Sequence, residues 1–496
     1  MKNKFYITTS IAYANADPHV GFALELIQAD VLARYHKLLG EETWFLTGTD
    51  EHGTKIARTA EANHKEPKEF VDGIVSKFEA LPTVLNVAND DFIRTTDQTR
   101  HWPAVQKLWG ILADKDDLYK KNYEGYYCVG HEAFIKKNEL IDGVCPIHKT
   151  TPETVVEENW FFKLSKYTQE IKKKIETDEL KILPVSKKNE ILNLLDDAED
   201  VSFSRPSKDL KWGIPVPNDS TQTMYVWADA LSNYISALGW EHNGDDFQKF
   251  WPADIHLIGK DILRFHAMIW PAMLLSAGIE LPKAIYVHGF ITVNGEKMSK
   301  SLGTGIDPFA LVEKYGADVV RYFLLREIPS DEDGDFSEEK LIARYNGDLA
   351  NGLGNLVARV STLIDNNLAE GLEYDTKLVS VEINKFVQDF LVKYQASIEN
   401  FKIHEALIAI WELISYADKY VNDTKPWALA KENIEEFKSV MINLVEMIYR
   451  VTKALAPFMP ETAEKISEVF DFKKEEAPPE AGQLKVRKGA VLFPRH

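Results

Sequence analysis

Cysteine is nearly absent: only Cys128 and Cys145 occur in 496 residues. A disulfide framework is therefore excluded as the organising device, and a reducing compartment, the cytoplasm, is the expected location. No run of about 18 apolar residues is present, so neither a membrane-spanning helix nor a membrane partner is expected. The opening residues also lack the apolar core of a secretory signal. Basic charge is in short supply: 58 Lys and Arg stand against 77 Asp and Glu, for a net charge of −19. A protein that coats nucleic acid needs the opposite balance, because its cations must displace counterions from phosphates. Any RNA contact must then use a local patch. Repeats and low-complexity blocks are missing too, and 45% hydrophobic with 27% charged residues suits a soluble globular chain with several cores.

Residues 4–9 are short, aromatic and β-branched, and are followed by the polar turn Asn15-Ala-Asp-Pro18. Val20, Leu24, Ile27, Val31, Leu32, Tyr35 and Leu38 then repeat at helical spacing, Gly40 supplies a stop, and 42–50 reads as a second strand. This is βαβ grammar, which predicts a Rossmann-like parallel sheet. It returns at 254–260, a strand before an apolar helix at 262–277, and at 284–293, which reads as one buried strand. Between these halves, 115–215 is rich in Tyr, turns and both cysteines, and reads as a connective insertion. After the acidic stretch 330–335, helical spacing dominates, and a helical bundle is expected. The predicted organisation is α/β: a first catalytic half at 1–114, the insertion at 115–215, a second half at 216–293, a linking region at 294–337, an all-α domain at 338–470, and a C-terminal tail at 471–496 whose apolar end at 489–494 suits docking on the body.

His19-Val-Gly-Phe22 falls where the first strand has ended and the first helix begins. Ligands of open α/β sheets bind at that end, Gly21 permits close backbone approach, and the helix N-terminus favours phosphate. Lys297-Met-Ser-Lys-Ser301 lies on a glycine-flanked loop after a predicted strand, offering two cations for a pentavalent phosphate. The two motifs together resemble the signature pair of class I aminoacyl-tRNA synthetases. The resemblance implies that His19 and Lys300, with Lys297 assisting, stabilise charge as an amino-acid carboxylate attacks the α-phosphate of ATP, taken with Mg2+. It further implies Gly259 and Asp261 at the ribose and Phe290 and Ile291 beside adenine. The fourth position of the first motif departs from the family, which usually has His or Asn there. Phe22 cannot donate a hydrogen bond, so that phosphate contact is expected to be lost or supplied elsewhere.

Four stretches, Ser10-Ile-Ala-Tyr-Ala-Asn15, Gly48-Thr-Asp-Glu-His-Gly-Thr54, Tyr225-Val-Trp-Ala-Asp-Ala230 and His256-Leu-Ile-Gly-Lys-Asp-Ile262, resemble the methionyl-tRNA synthetase family specifically. That family activates L-methionine as methionyl-adenylate and transfers it to tRNA(Met). The resemblance places Asp50 on the ammonium group and Ile11, Tyr13, Trp227, Leu231, Tyr234, Ile262 and His266 around the side chain. Aromatic rings suit a thioether, although core packing alone explains a Trp and a Tyr at this spacing. Relatives specific for isoleucine, valine and leucine carry a large editing domain within the insertion, for which about 100 residues leave too little room.

Within the insertion, Cys128-Val-Gly-His131 and Cys145-Pro-Ile-His148 form two C-x2-H pairs, the donor set of a structural tetrahedral Zn2+. In the bundle, the resemblance assigns Asn355, Arg359 and Trp427 to the anticodon, where a ring stacks a splayed base and polar groups read its edge. A monomer is expected. Other readings are a synthetase for another amino acid such as cysteine, a non-catalytic tRNA-binding paralogue suggested by Phe22, and an adenylyltransferase unconnected with tRNA.

Overall fold

The strand–helix–strand pattern of the first fifty residues is built as read in this computed structural model, which describes residues 3–130, 132–135, 137–146, 149–293, 295–297, 305–472 and 481–494. Strand Lys4–Thr9 runs parallel to Glu42–Asp50 on one side and to Ile255–Gly259 on the other. Asp91–Arg94 extends one edge and Ala284–His288 the other, again parallel. The intervening helix Val20–Leu38 is buried along most of its length. Beyond Thr9, the two-residue strand Ala12–Tyr13 pairs with the far end of the neighbouring strand, setting Tyr13 opposite Asp50. Backbone register alone thus brings two candidate site residues together at the carboxyl end of the sheet.

The insertion is a four-stranded antiparallel sheet in which Leu118–Cys128 pairs with both Ala133–Ile135 and Glu153–Phe162, and Val201–Ser202 closes the edge. It does not occupy the whole span read from the sequence. Lys181–Leu183, between helices Thr168–Glu176 and Val185–Asp196, pairs parallel with Ala284–Tyr286 and completes the main sheet. Three residues are too few to show a strand period.

Residues 284–293, read as one strand, are two. Ala284–His288 stays in the main sheet, whereas Ile291–Val293 pairs with Gly334–Asp335 and Glu296–Lys297. The break falls at Gly289, where a Cβ would stand 2.1 Å from the Glu332 carbonyl oxygen, so only glycine admits the passing backbone. The same point separates the two compact units of the chain: Met1–Ala29, His36–Thr83 and Val87–His288 form one, and Asp30–Tyr35, Val84–Asn86 and Gly289–His496 the other.

The second unit is mostly helical. Helices Val381–Glu399, Ile403–Thr424 and Ile434–Leu455 dominate it, with Ser380 and Asn433 capping the first and third by accepting backbone N–H bonds. Two short strands break the expected all-α pattern: Leu372–Asp375 pairs antiparallel with Ala481–Leu484 from the tail. Farther along the tail, Phe493 buries its ring against Tyr345, whose hydroxyl donates to the Pro494 carbonyl, so this end docks as its apolar character suggested. Among the described residues no helix is long and apolar enough to cross a membrane.

Candidate active site

At the carboxyl end of the sheet in the first unit, four carboxylates are buried close together: Asp50, Glu51, Glu132 and Asp229. Burying an anion is costly unless hydrogen bonds or cations compensate it. Three of the four are compensated. Glu51 accepts a bidentate pair from Arg94 at 2.7 and 2.8 Å and the Thr96 hydroxyl at 2.6 Å. Asp229 sits between two imidazoles, His52 at 2.6 Å and His101 at 2.7 Å, and His101 is held in turn by the Ser236 hydroxyl. Glu132 accepts from the Tyr13 and Tyr127 hydroxyls and from the Lys55 amide.

Asp50 is the exception. Only 6% exposed, it keeps one carboxylate oxygen without a hydrogen-bond partner among the described residues. Burial, reinforced by the negative charge of Asp229 and then Glu132 and Glu51, pushes its carboxyl well above the ordinary range, against a smaller opposing effect of the His52 amide. Asp229 behaves oppositely: burial pushes its carboxyl up, but His52 and His101 outweigh this and hold it below the ordinary value. The site therefore contains one carboxyl group with an unpartnered oxygen, beside three whose oxygens are hydrogen-bonded.

The apolar candidates lie in or against the core of the same unit. Leu231 and Tyr234 belong to the main core of the first unit, and Ile11, Tyr13, Trp227 and Ile262 are half-buried against that core. The Trp227 ring stacks flat on Phe265 at 3.9 Å and meets His266 edge-on at 6.1 Å. The His266 Nδ1–H donates to the Ile262 carbonyl at 3.0 Å, which leaves Nε2 to accept the Tyr234 O–H at 2.7 Å. Burial lowers the His266 pKa to about 4, so the ring is neutral at physiological pH. Of the residues expected around methionine, Trp227, Tyr234, Ile262 and His266 are linked to one another by these ring contacts and hydrogen bonds. A neutral, polarizable lining suits a thioether and offers little to a charged side chain.

The nucleotide candidates fall in both units. His19 is exposed at the start of the helix and its Nδ1 accepts the Gly21 N–H at 3.0 Å, which places the proton of the neutral ring on Nε2, a donor for phosphate. Phe22 takes no part: it is buried, with its ring edge-to-face on Phe78 at 5.4 Å. The fourth position of the motif is a packing position in this chain. At the end of strand Ile255–Gly259, Gly259 lies against the exposed Asp261. In the second unit, the Phe290 amide donates to Asp333, and Ile291 begins the strand that pairs with Lys297 two residues from the Gly295 turn. Lys300, His131 and His148 lie outside the described residues, as does the greater part of the Lys297–Ser301 motif.

Cys128 and Cys145 are both buried and share one small cluster with Ile135. Cys128 ends the strand paired with Ala133, and Cys145 opens a tight turn closed by the Lys149 N–H on the Cys145 carbonyl at 2.8 Å. Among the described residues no group of three or more potential metal ligands is found, the histidines of both C-x2-H pairs lying outside them. In the bundle, Asn355 is exposed at the start of helix Asn355–Asn367. Arg359, one turn on, pairs with Asp418 at 2.9 Å and lies 5.9 Å from the ring of Trp427, which is 46% exposed.

Nothing in the sequence pointed to Arg94, His101, Glu132 or Asp229. Asp229 lay inside a quoted motif and Glu132 directly follows His131, but nothing local marks either as buried.

A family model described as tRNA synthetases class I (M) matches residues 5–151 and 135–361, and one described as anticodon-binding domain of tRNA ligase matches 381–483. The chain is 43% identical over 485 residues to the methionine–tRNA ligase of Thermotoga maritima, covering 95% of this chain and 76% of that one. It is 41% identical over 511 residues to that of Brucella suis, covering 100% and 98%. Among solved structures, the Mycobacterium tuberculosis methionyl-tRNA synthetase in complex with methionyl-adenylate overlays with a TM-score of 0.94 at 37% identity over the whole of both chains.

Proposed function

This chain belongs to the methionine–tRNA ligases of class I, and from that premise we propose how its own residues divide the work. The protein activates L-methionine with ATP to methionyl-adenylate, releasing pyrophosphate, and transfers methionine to tRNA(Met). The observation that carries the residue assignment is the unpartnered carboxyl oxygen of Asp50. It receives the methionine ammonium, while the side chain packs among Ile11, Tyr13, Trp227, Leu231, Tyr234, Ile262 and His266.

The methionine carboxylate then attacks the α-phosphorus of ATP, bound as its Mg2+ complex. The His19 Nε2–H, with Lys297 and Lys300, stabilises the charge that develops on the phosphate oxygens, and Gly21 lets the backbone approach. Gly259 and Asp261 contact the ribose, and Phe290 and Ile291 flank adenine.

Cys128, His131, Cys145 and His148 hold a structural Zn2+, which with four protein ligands has no open position for chemistry. Metal analysis of the purified chain is expected to find stoichiometric zinc; active protein without it removes this assignment. The scarcity of cysteine supports a cytoplasmic location, and we propose a monomer, which light scattering reads directly.

Trp427 stacks a base of the anticodon, with Asn355 and Arg359 on base edges. A stacked base is worth about 1–3 kcal/mol, so Trp427→Ala is expected to raise the KM for tRNA roughly tenfold or more. Methionine-dependent ATP–pyrophosphate exchange should be untouched. Equal loss in both assays would mean that Trp427 supports the fold instead.

A further inference from the structure

Glu132, an acidic residue of the insertion, is hydrogen-bonded to Tyr13. It belongs to the turn that follows Cys128, holds a left-handed backbone at φ 52°, and is 5% exposed. Its Oε1 accepts the Tyr13 hydroxyl at 2.8 Å and the Lys55 amide at 2.5 Å, and its Oε2 accepts the Tyr127 hydroxyl at 2.5 Å. Lys55 lies in the first turn of helix Thr54–Ala62, where amides have no partner within the helix. Gly53, at φ 116°, makes room: a Cβ there would stand 2.6 Å from the Tyr13 hydroxyl and 3.0 Å from Glu132 Oε1. Three chain segments meet on one carboxylate: the strand that carries Tyr13, the helix that follows Asp50, and the turn of the insertion.

We propose that Glu132 is a positioning residue for methionine: it clamps the Tyr13 ring and so couples the cysteine-bearing turn to amino-acid binding. This rests on the assignment of Tyr13 to the methionine site. Tyr13 has no other hydroxyl partner among the described residues; its backbone pairs with Asp50, and its ring packs against the core with the Lys55 ammonium 5.8 Å from its centroid. Loss of the acceptor leaves the Tyr13 hydroxyl without this partner, which penalises the ring position that the hydrogen bond holds. The Glu132 charge also adds to the negative field at Asp50, so its removal weakens attraction for the ammonium in the same direction.

The test is steady-state ATP–pyrophosphate exchange with Glu132→Ala, Glu132→Gln, Tyr13→Ala and the double variant Glu132→Ala/Tyr13→Ala, with melting temperature followed in parallel. Glu132→Ala should raise the KM for methionine about tenfold, the size of one lost hydrogen bond to a charged group, while the KM for ATP stays unchanged. Glu132→Gln, which still offers an oxygen to Tyr13, should recover most of the loss. The double variant should be little worse than Tyr13→Ala, because both changes act on one ring. A fall in melting temperature with an unchanged KM for methionine overturns the proposal, as does full additivity in the double variant. If Tyr13→Ala itself leaves the KM for methionine unchanged, the assignment of Tyr13 fails instead, and the two failures are distinguishable.

Discussion

Asp50→Asn is expected to lower kcat/KM for methionine about 100- to 1000-fold in ATP–pyrophosphate exchange, with the KM for ATP nearly unchanged, since removing one member of a buried ion pair costs about 3–5 kcal/mol. The size follows from what surrounds the carboxylate. Glu51, Glu132 and Asp229 are each compensated by partners in the protein, so none is available to a substrate cation without breaking an existing bond. Asp50 alone has an oxygen to offer. An asparagine of the same shape keeps the packing but presents a neutral amide to an ammonium that has left water, and three nearby anions do not make up a missing contact.

The pH dependence of the same step has a definite sign. Burial and the charge of Asp229 raise the Asp50 carboxyl well above its usual value, so the unliganded site takes up a proton earlier than an ordinary aspartate as pH falls. Methionine binds the ionised form, and its ammonium reverses the shift. Affinity for methionine should therefore decline as pH falls through the elevated pKa, above the range where ordinary carboxylates titrate, while Asp50→Asn removes that limb. A wild-type KM for methionine that stays flat through this range, or an Asn variant with unaltered kcat/KM, would remove Asp50 from the ammonium site.

The residues of this site were legible to different degrees, and the reason is separation along the chain. Asp50 could be read as a candidate from its place at the end of the second strand of a βαβ unit, whereas Tyr13 rested on the family resemblance. Cys128 and Cys145 announced themselves by spacing. The compensating groups could not be read, because each partnership joins distant residues: His52 and Asp229 are 177 apart, His101 and Asp229 128, and Tyr13 and Glu132 119. In a single sequence a buried Glu and an exposed one look alike. The short strand Lys181–Leu183 escaped for a related reason, as its place is specified by pairing with Ala284–Tyr286 and not by its own three residues. Phe22 shows the reverse: judged as a missing donor, it is a core residue whose partner, Phe78, comes from another helix.

His19→Ala and Lys300→Ala are each expected to lower kcat for ATP–pyrophosphate exchange about 100- to 1000-fold, the usual worth of a donor aimed at charge that appears only in the transition state. KM values for methionine and ATP should change far less, because ground-state ATP does not yet carry the pentavalent charge these groups meet. The Gly21 amide donates to His19 Nδ1, so the neutral ring carries its proton on Nε2 and can donate without being protonated. His19→Asn, which can still donate, should therefore recover part of the loss. With Phe22 turned into the core, no second donor of that motif shares the load. The double variant His19→Ala/Lys300→Ala should fall short of the product of the two losses, because both groups serve one charge distribution. Transfer of methionine from preformed methionyl-adenylate to tRNA should be affected far less than adenylate formation. Comparable loss in both half-reactions would mean that these residues hold the nucleotide in general and are not tuned to the attack on its α-phosphorus.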